Sequence, residues 1–221
     1  MTVFGFTGAK KFARRHPLRT ALLGWYVVFW AAMAISPVDR SDWLLENLLA
    51  FIFIGLLVAT YRSLPLSDTS YVVITVFMTL HAVGAHYTYS QVPLGYWMQD
   101  AFHLNRNHFD RIVHFAFGLL MTYPFHEVLM AAARIRGWWA YVIPVTIAVA
   151  FSGLFEIIES WVARIVSPEL GDAYLGTQGD TWDAQKDMTA ALAGAVLCMI
   201  LVVVFETALL RRVRSSSHQS A

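Results

Sequence analysis

"WWAYVIPVTIAVAFSGLFEIIESWVAR", residues 138–164, is the stretch that decides the fold. Its apolar character holds over more than the ~20 residues needed to cross a ~30 Å hydrocarbon core. Runs of this length belong to membrane spans. Two carboxylates, Glu156 and Glu159, sit in its second half as i and i+3, on adjoining positions of one helix face. Ionisable groups in such a setting are costly and need partners.

The rest of the chain agrees with that reading. Of 221 residues, 57% are hydrophobic and 14% are charged, against the ~25% charge of a typical soluble domain. The mean hydropathy is +0.53. Six spans can be marked, at residues 18–36, 43–61, 71–86, 111–132, 138–164 and 184–210. The expectation is an all-α, polytopic membrane bundle. It has a basic N-terminal segment (1–17), one transmembrane domain (18–210) and a polar C-terminal tail without structure (211–221). The basic start resembles a signal-peptide n-region, but the run behind it is long and no small-residue cleavage site follows, so a retained first helix is expected. A net charge of +1 and the lack of a basic patch argue against nucleic acid. The single cysteine, Cys198, excludes an intramolecular disulfide and a cysteine metal cluster.

Orientation follows from arginine and lysine. Lys10, Lys11, Arg14, Arg15 and Arg19 lie at the start of the first span. Arg62 follows the second, Arg134 and Arg136 separate the fourth and fifth, and Arg211, Arg212 and Arg214 follow the sixth. With six spans all of these share one side, which is expected to be cytoplasmic together with both termini. The other side, periplasmic in a bacterial inner membrane, receives "TYSQVPLGYWMQDAFHLNRNHFDR" (88–111) and "SPELGDAYLGTQGDTWD" (167–183). The first of these loops is long. Its "LGYWMQDAFHL" predicts a short interfacial or re-entrant helix.

The polar residues that carry chemistry gather on that same side. "HAVGAHYTY" ends the third span with His81 and His86, roughly 140° apart on a straight helix. "NHFDRIVHF" opens the fourth with His108, Asp110 and His114. Asp110 and His114 are i and i+4, the spacing at which a carboxylate orients an imidazole. Glu156 and Glu159 come from the fifth span. Asp180, Asp183 and Asp187 form one helical stripe at the start of the sixth, where the first two also suit a helix cap. Glu46, near the same end of the second span, is positioned to join them. His126, Glu127 and Glu206 lie towards the other side and are expected to pair with Arg134 or Arg211. The ligand types, His with Asp and Glu and no Cys, suit a divalent Zn, Mn or Fe. Asp110, His114, Glu156 and Asp187 are the candidate catalytic residues. His81, His86, His108, Glu159, Asp180 and Asp183 are the candidate metal ligands.

Four strings, "HAVGAHYTYSQVPLG", "RNHFDRIVHFAFGLL", "FEIIESW" and "GTQGDTWDAQKDM", resemble the YjdF family of bacterial inner membrane proteins, whose function is unknown. More loosely, Asp110, Arg111, His114 and Phe115, then Glu156, then Asp187 and Gly194, resemble a pattern of VanZ-like membrane proteins. Ala191 stands where that pattern has Asn. The resemblance implies a shared helical bundle and a shared polar site, and no substrate.

Three readings remain open from the residues. One is a metal-dependent enzyme acting on a membrane lipid or lipid-linked headgroup, with Asp110 orienting His114, Glu156 or Asp187 binding metal or acting as base, and "LGYWMQDAF" admitting the lipid. Another is a non-catalytic scaffold or binding protein. The third is a proton-coupled transporter, which the lack of a repeat or a broken helix pair disfavours. Oligomeric state is not encoded in these patterns.

Overall fold

The computed structural model describes residues 16–64 and 66–219, with side chains as far as Ala208. Eight helices and no strand occur among the described residues. They are α1 (Pro17–Met33), α2 (Arg40–Thr60), α3 (Asp68–His86), α4 (Pro93–Phe102), α5 (Phe109–Ala131), α6 (Trp139–Ile165), α7 (Pro168–Leu175) and α8 (Asp183–Gln219).

Local chemistry sets their starts. Asp39 Oδ1 accepts from the backbone N–H groups of Ser41 and Asp42 at 2.7 and 2.9 Å, which caps α2. The Ser67 hydroxyl caps α3 through the Ser70 N–H at 3.2 Å. Proline occupies the first turn of α1, α4 and α7, where its missing N–H is not needed. Left-handed residues, His103 and Gly176, end α4 and α7.

Five helices are long and apolar enough to cross a membrane: α2, α3, α5, α6 and the Asp183–Ala208 part of α8. The first expected span forms α1, only 17 residues long. Its Leu23, Trp25, Val27 and Val28 are exposed, as are Val58 on α2, Ile157 on α6 and Val204 and Phe205 on α8. An apolar surface of this extent fits a hydrocarbon solvent, in which each helix satisfies its own backbone.

α5 lies at the centre and packs on α3, α6 and α8, while α1 covers α3, and α2 leans on α3 and α7. The α5–α8 contact is the tightest. Gly118 lies against the backbone of Ala191, and Gly194 against the backbone of Phe115, so a Cβ at either glycine would overlap backbone atoms. This is the close approach expected of the small-residue run after Asp187.

Several expectations need correction. The tail is not wholly without structure, since α8 continues to Gln219; residues 1–15 and 220–221 lie outside the described residues. The acidic loop before α8 contains a helix, α7. Among the described residues Glu127 pairs with no arginine. It accepts hydrogen bonds from the Ser67 N–H and from the hydroxyls of Ser67 and Ser70. His126 meets the Ala140 carbonyl, and Glu206 accepts from the Tyr141 hydroxyl. The Arg211 side chain lies outside the described residues.

Candidate functional site

One end of the bundle collects the N-terminal turns of α2, α5 and α8, the C-terminal turns of α3 and α6, and α7. Two loops are latched together there. The Gln178 side chain makes paired bonds with the Asn107 backbone, both at 3.0 Å. Arg106 donates to the carbonyls of Thr177 and Gly176. The Asn107 side chain donates to the Val92 carbonyl and accepts from the Phe109 N–H, each at 3.0 Å. The latch fixes where α5 and α8 begin, and so where Asp110 and Asp183 stand.

Ion pairs follow from that placement. Arg106 bonds Asp183. Arg111 reaches Asp180 at 2.5 Å, Asp183 at 3.1 Å and Asp187 at 3.7 Å. Asp180 also takes Lys186 at 2.7 Å and caps the turn through the Trp182 N–H at 3.1 Å. The Lys186 bond, the Trp182 N–H and Arg111 hold the Asp180 carboxyl well below the usual range. His108 Nδ1 lies 3.1 Å from Arg111. Burial and then the charges of Arg111 and Arg106 push its pKa down.

Deeper in, His114 is the hub. Its Nδ1 meets the Ser152 hydroxyl at 3.2 Å, which fixes the ring. Its Nε2 then faces Glu156 Oε1 at 3.3 Å and Asp110 Oδ1 at 3.7 Å. One carboxylate oxygen from each of Asp110, Asp183 and Asp187 lies within 4.8 Å of the others. Glu156 Oε1 and Asp187 Oδ1 are buried without a hydrogen-bond partner among the described residues. Asp187 is 1% exposed. Asp110, His114, Glu156 and Asp187 therefore converge from three helices on one point.

A second group borders the first. His81 Nδ1 lies 2.5 Å from the Tyr89 hydroxyl. Thr88 and Tyr89 both have positive φ, 52° and 49°, which turns the Tyr89 ring back over Gly84. Asp42 is fully buried with both oxygens unpartnered, and one Glu46 oxygen is likewise unpartnered among the described residues. Burial, then the nearby carboxylates of Glu46, Glu159 and Asp42, push the Tyr174 phenol up. Glu46 thus joins the cluster, and so do Asp42 and Tyr174, which sequence reasoning did not single out. Asp42 reads in the sequence as an ordinary acidic residue of a helix first turn. The pair Asp42–Glu46, at i and i+4, was the available signal. His86 stands apart; its Nδ1 meets the Met33 carbonyl at 2.8 Å and ties α3 to α1.

From this end a cavity of about 470 Å³ runs down between α2, α3, α5 and α6. Glu46, His81, Asp110, His114 and Glu159 line its polar end, and Phe53, Leu57, Phe77 and Phe125 line its length. No residue of α4 lines it, so α4 is not its entrance.

The fold and this site define a polytopic helical membrane protein with a buried carboxylate–histidine cluster at one end of the bundle. The chain belongs to the family described as predicted membrane protein (DUF2238), whose model matches residues 18–208. It is 37% identical over 179 residues to the inner membrane protein YjdF of Escherichia coli (strain K12), covering 80% of this chain and 85% of that protein. This similarity and the apolar helices make it a multi-pass inner membrane protein. No solved structure matches the chain.

Proposed function

We propose that the protein is a metal-dependent enzyme acting on a lipid or lipid-linked headgroup at the periplasmic face, with both termini cytoplasmic. The observation that carries this reading is the convergence on His114 Nε2. The ring nitrogen, Glu156 at 3.3 Å and Asp110 at 3.7 Å face one another, and Glu156 Oε1 makes no hydrogen bond among the described residues. A proton or a divalent ion shared between these groups satisfies them, and we take the divalent ion. His, Asp and Glu are the donor set of Zn, Mn or non-haem Fe. A divalent ion there supplies a polarised phosphoryl oxygen or a water of lowered pKa.

The chain's own residues have separate tasks in this scheme. Ser152 holds the His114 ring so that Nε2 points inward. Asp187 brings from α8 an oxygen without a hydrogen bond, with Arg111 at 3.7 Å, and Glu156 brings from α6 an oxygen that faces His114. Either carboxylate can take a proton from an attacking water. Arg111, held by Asp180 and Asp183, keeps the acidic group tolerable in the membrane.

Elemental analysis of the purified protein beside a His114→Ala/Asp187→Ala double variant tests this. About one Zn, Mn or Fe per chain in the parent, absent from the double variant, is the expected result. A parent that holds no metal after exposure to all three ions overturns the reading. Phosphorylated lipids are then the substrates to screen, and Asp187→Asn is expected to abolish turnover while the protein stays folded and inserted.

A second reading has its own support. Arg106 and Arg111 clamp Asp180 and Asp183 across α5 and α8, as a structural network would. A scaffold of this kind loses stability, not activity, on Asp187→Asn.

A further inference from the structure

The cavity below the cluster has a shape and an opening that the site itself does not require. Its α2 wall runs from Glu46 to Thr60, which at 1.5 Å per residue is about 21 Å along the bundle. That is most of a ~30 Å hydrocarbon core. The volume, about 470 Å³, falls in the roughly 300–1,000 Å³ range of ligand sites.

The cavity is also open sideways. α2 packs on α3 and α7, and α6 packs on α5, α7 and α8, while the cavity separates α2 from α6. Four of its lining residues are about half exposed: Ile52 and Leu56 on α2, Phe151 and Leu154 on α6. All four are apolar and belong to helices long and apolar enough to cross a membrane, which places the slot between them against lipid tails. Along this route chemistry changes in one direction, from aliphatic and aromatic walls to Glu46, His81, Asp110, His114 and Glu159.

We propose that this slot admits one hydrocarbon chain of a membrane amphiphile sideways between α2 and α6, and that the bound chain sets a phosphate-bearing headgroup against the His114 cluster. The headgroup half of the inference rests on the metal reading above, because a cluster with this surplus of carboxylates receives a phosphate only through a cation. The chain half stands on the cavity alone.

The test is native mass spectrometry of the purified full chain with lysophosphatidic acid carrying one palmitoyl chain, together with metal analysis of the same samples. A one-to-one adduct that survives detergent removal is expected in the parent. Ala50, buried on the cavity wall, is the site for a plug. Ala50→Trp is expected to lower adduct occupancy at least tenfold with metal content unchanged. If Ala50→Trp does not fold, Leu56→Trp at the exposed lip takes its place. His114→Ala/Asp187→Ala is expected to lose metal and keep binding palmitic acid, which has the tail without the phosphate. No one-to-one adduct in the parent, or full occupancy in a folded plugged variant, overturns the inference. A parent that binds the chain but holds no metal removes the enzyme reading and the headgroup half, and leaves the chain site standing.

Discussion

Glu127 takes hydrogen bonds from the Ser67 N–H at 2.6 Å, from the Ser67 hydroxyl at 3.0 Å and from the Ser70 hydroxyl. It serves three donors at the start of α3, the helix that carries His81 to the other end of the bundle. Glu127→Ala leaves these donors unpaired, and a loss of about 1–3 kcal/mol is expected, read as a lower Tm in detergent. Glu127→Gln keeps the acceptor oxygen and is expected to recover much of it. Asp180 makes a prediction in pH. Its folded pKa is depressed by Lys186, the Trp182 N–H and Arg111. Its contribution to stability is therefore fully present above the unfolded value, ~3.9, and is lost as pH falls through the folded value. The Tm of the parent is expected to fall more than that of Asp180→Asn between pH 4 and pH 2; equal falls in the two proteins sink the idea. At this scale the sequence was informative wherever partners were local. Asp110 and His114 could be paired from i,i+4 spacing alone. Arg106 could not be assigned to Asp183, because 77 residues separate them and only the folded loops bring them together.

Helices were legible because apolar runs of membrane length leave little choice of structure. Each long span forms within a few residues of its expected position. α7 escaped because its eight residues are too few to show an apolar period. Its signals were purely local, a serine cap, a proline at the first helical position and a closing glycine. The "AALAGA" run foretold a close helix contact but not its partner. That partner is α5, with Gly118 seated on Ala191 and Gly194 on Phe115. A Cβ at either position meets backbone, which cannot move aside alone. Gly118→Ala and Gly194→Ala are each expected to cost about 1–3 kcal/mol through overpacking, read as a Tm decrease. The same crossing sets the distance between Asp110 and His114 on α5 and Asp187 on α8. Each variant is therefore expected to weaken metal retention as well, by elemental analysis after dialysis against a mild chelator. Gly24 and Gly55, with open space around them, provide the controls; alanine there is expected to lower neither readout, and helix propensity favours a small Tm gain.

The cavity belongs to the whole molecule, and nothing in any one span announces it. It arises because α2 stands away from α6 while both lean on the helices between them. Facing-apart surfaces look the same in sequence as lipid-facing ones, since both are apolar. Orientation, in contrast, is a whole-molecule property that a few residues encode. Arg62, Arg134 and Arg136 lie at the end of the bundle opposite the cluster, on short connections where lysine and arginine bias insertion. The cluster end is rich in carboxylates, several of them already neutralised by Arg106 and Arg111. If the basic end is cytoplasmic, the His114 site faces the periplasm. Cys198 is the sole cysteine, and it is buried, so a cysteine-free parent is simple to make as Cys198→Ala. In that background Thr181→Cys reports the cluster end and Ser63→Cys the basic end, both at exposed positions. A membrane-impermeant maleimide applied to intact spheroplasts is expected to label Thr181→Cys at once and Ser63→Cys only after permeabilisation. The opposite pattern would turn the site towards the cytoplasm and replace periplasmic amphiphiles with cytoplasmic ones as candidate substrates, without altering the geometry of the cluster or the slot beneath it.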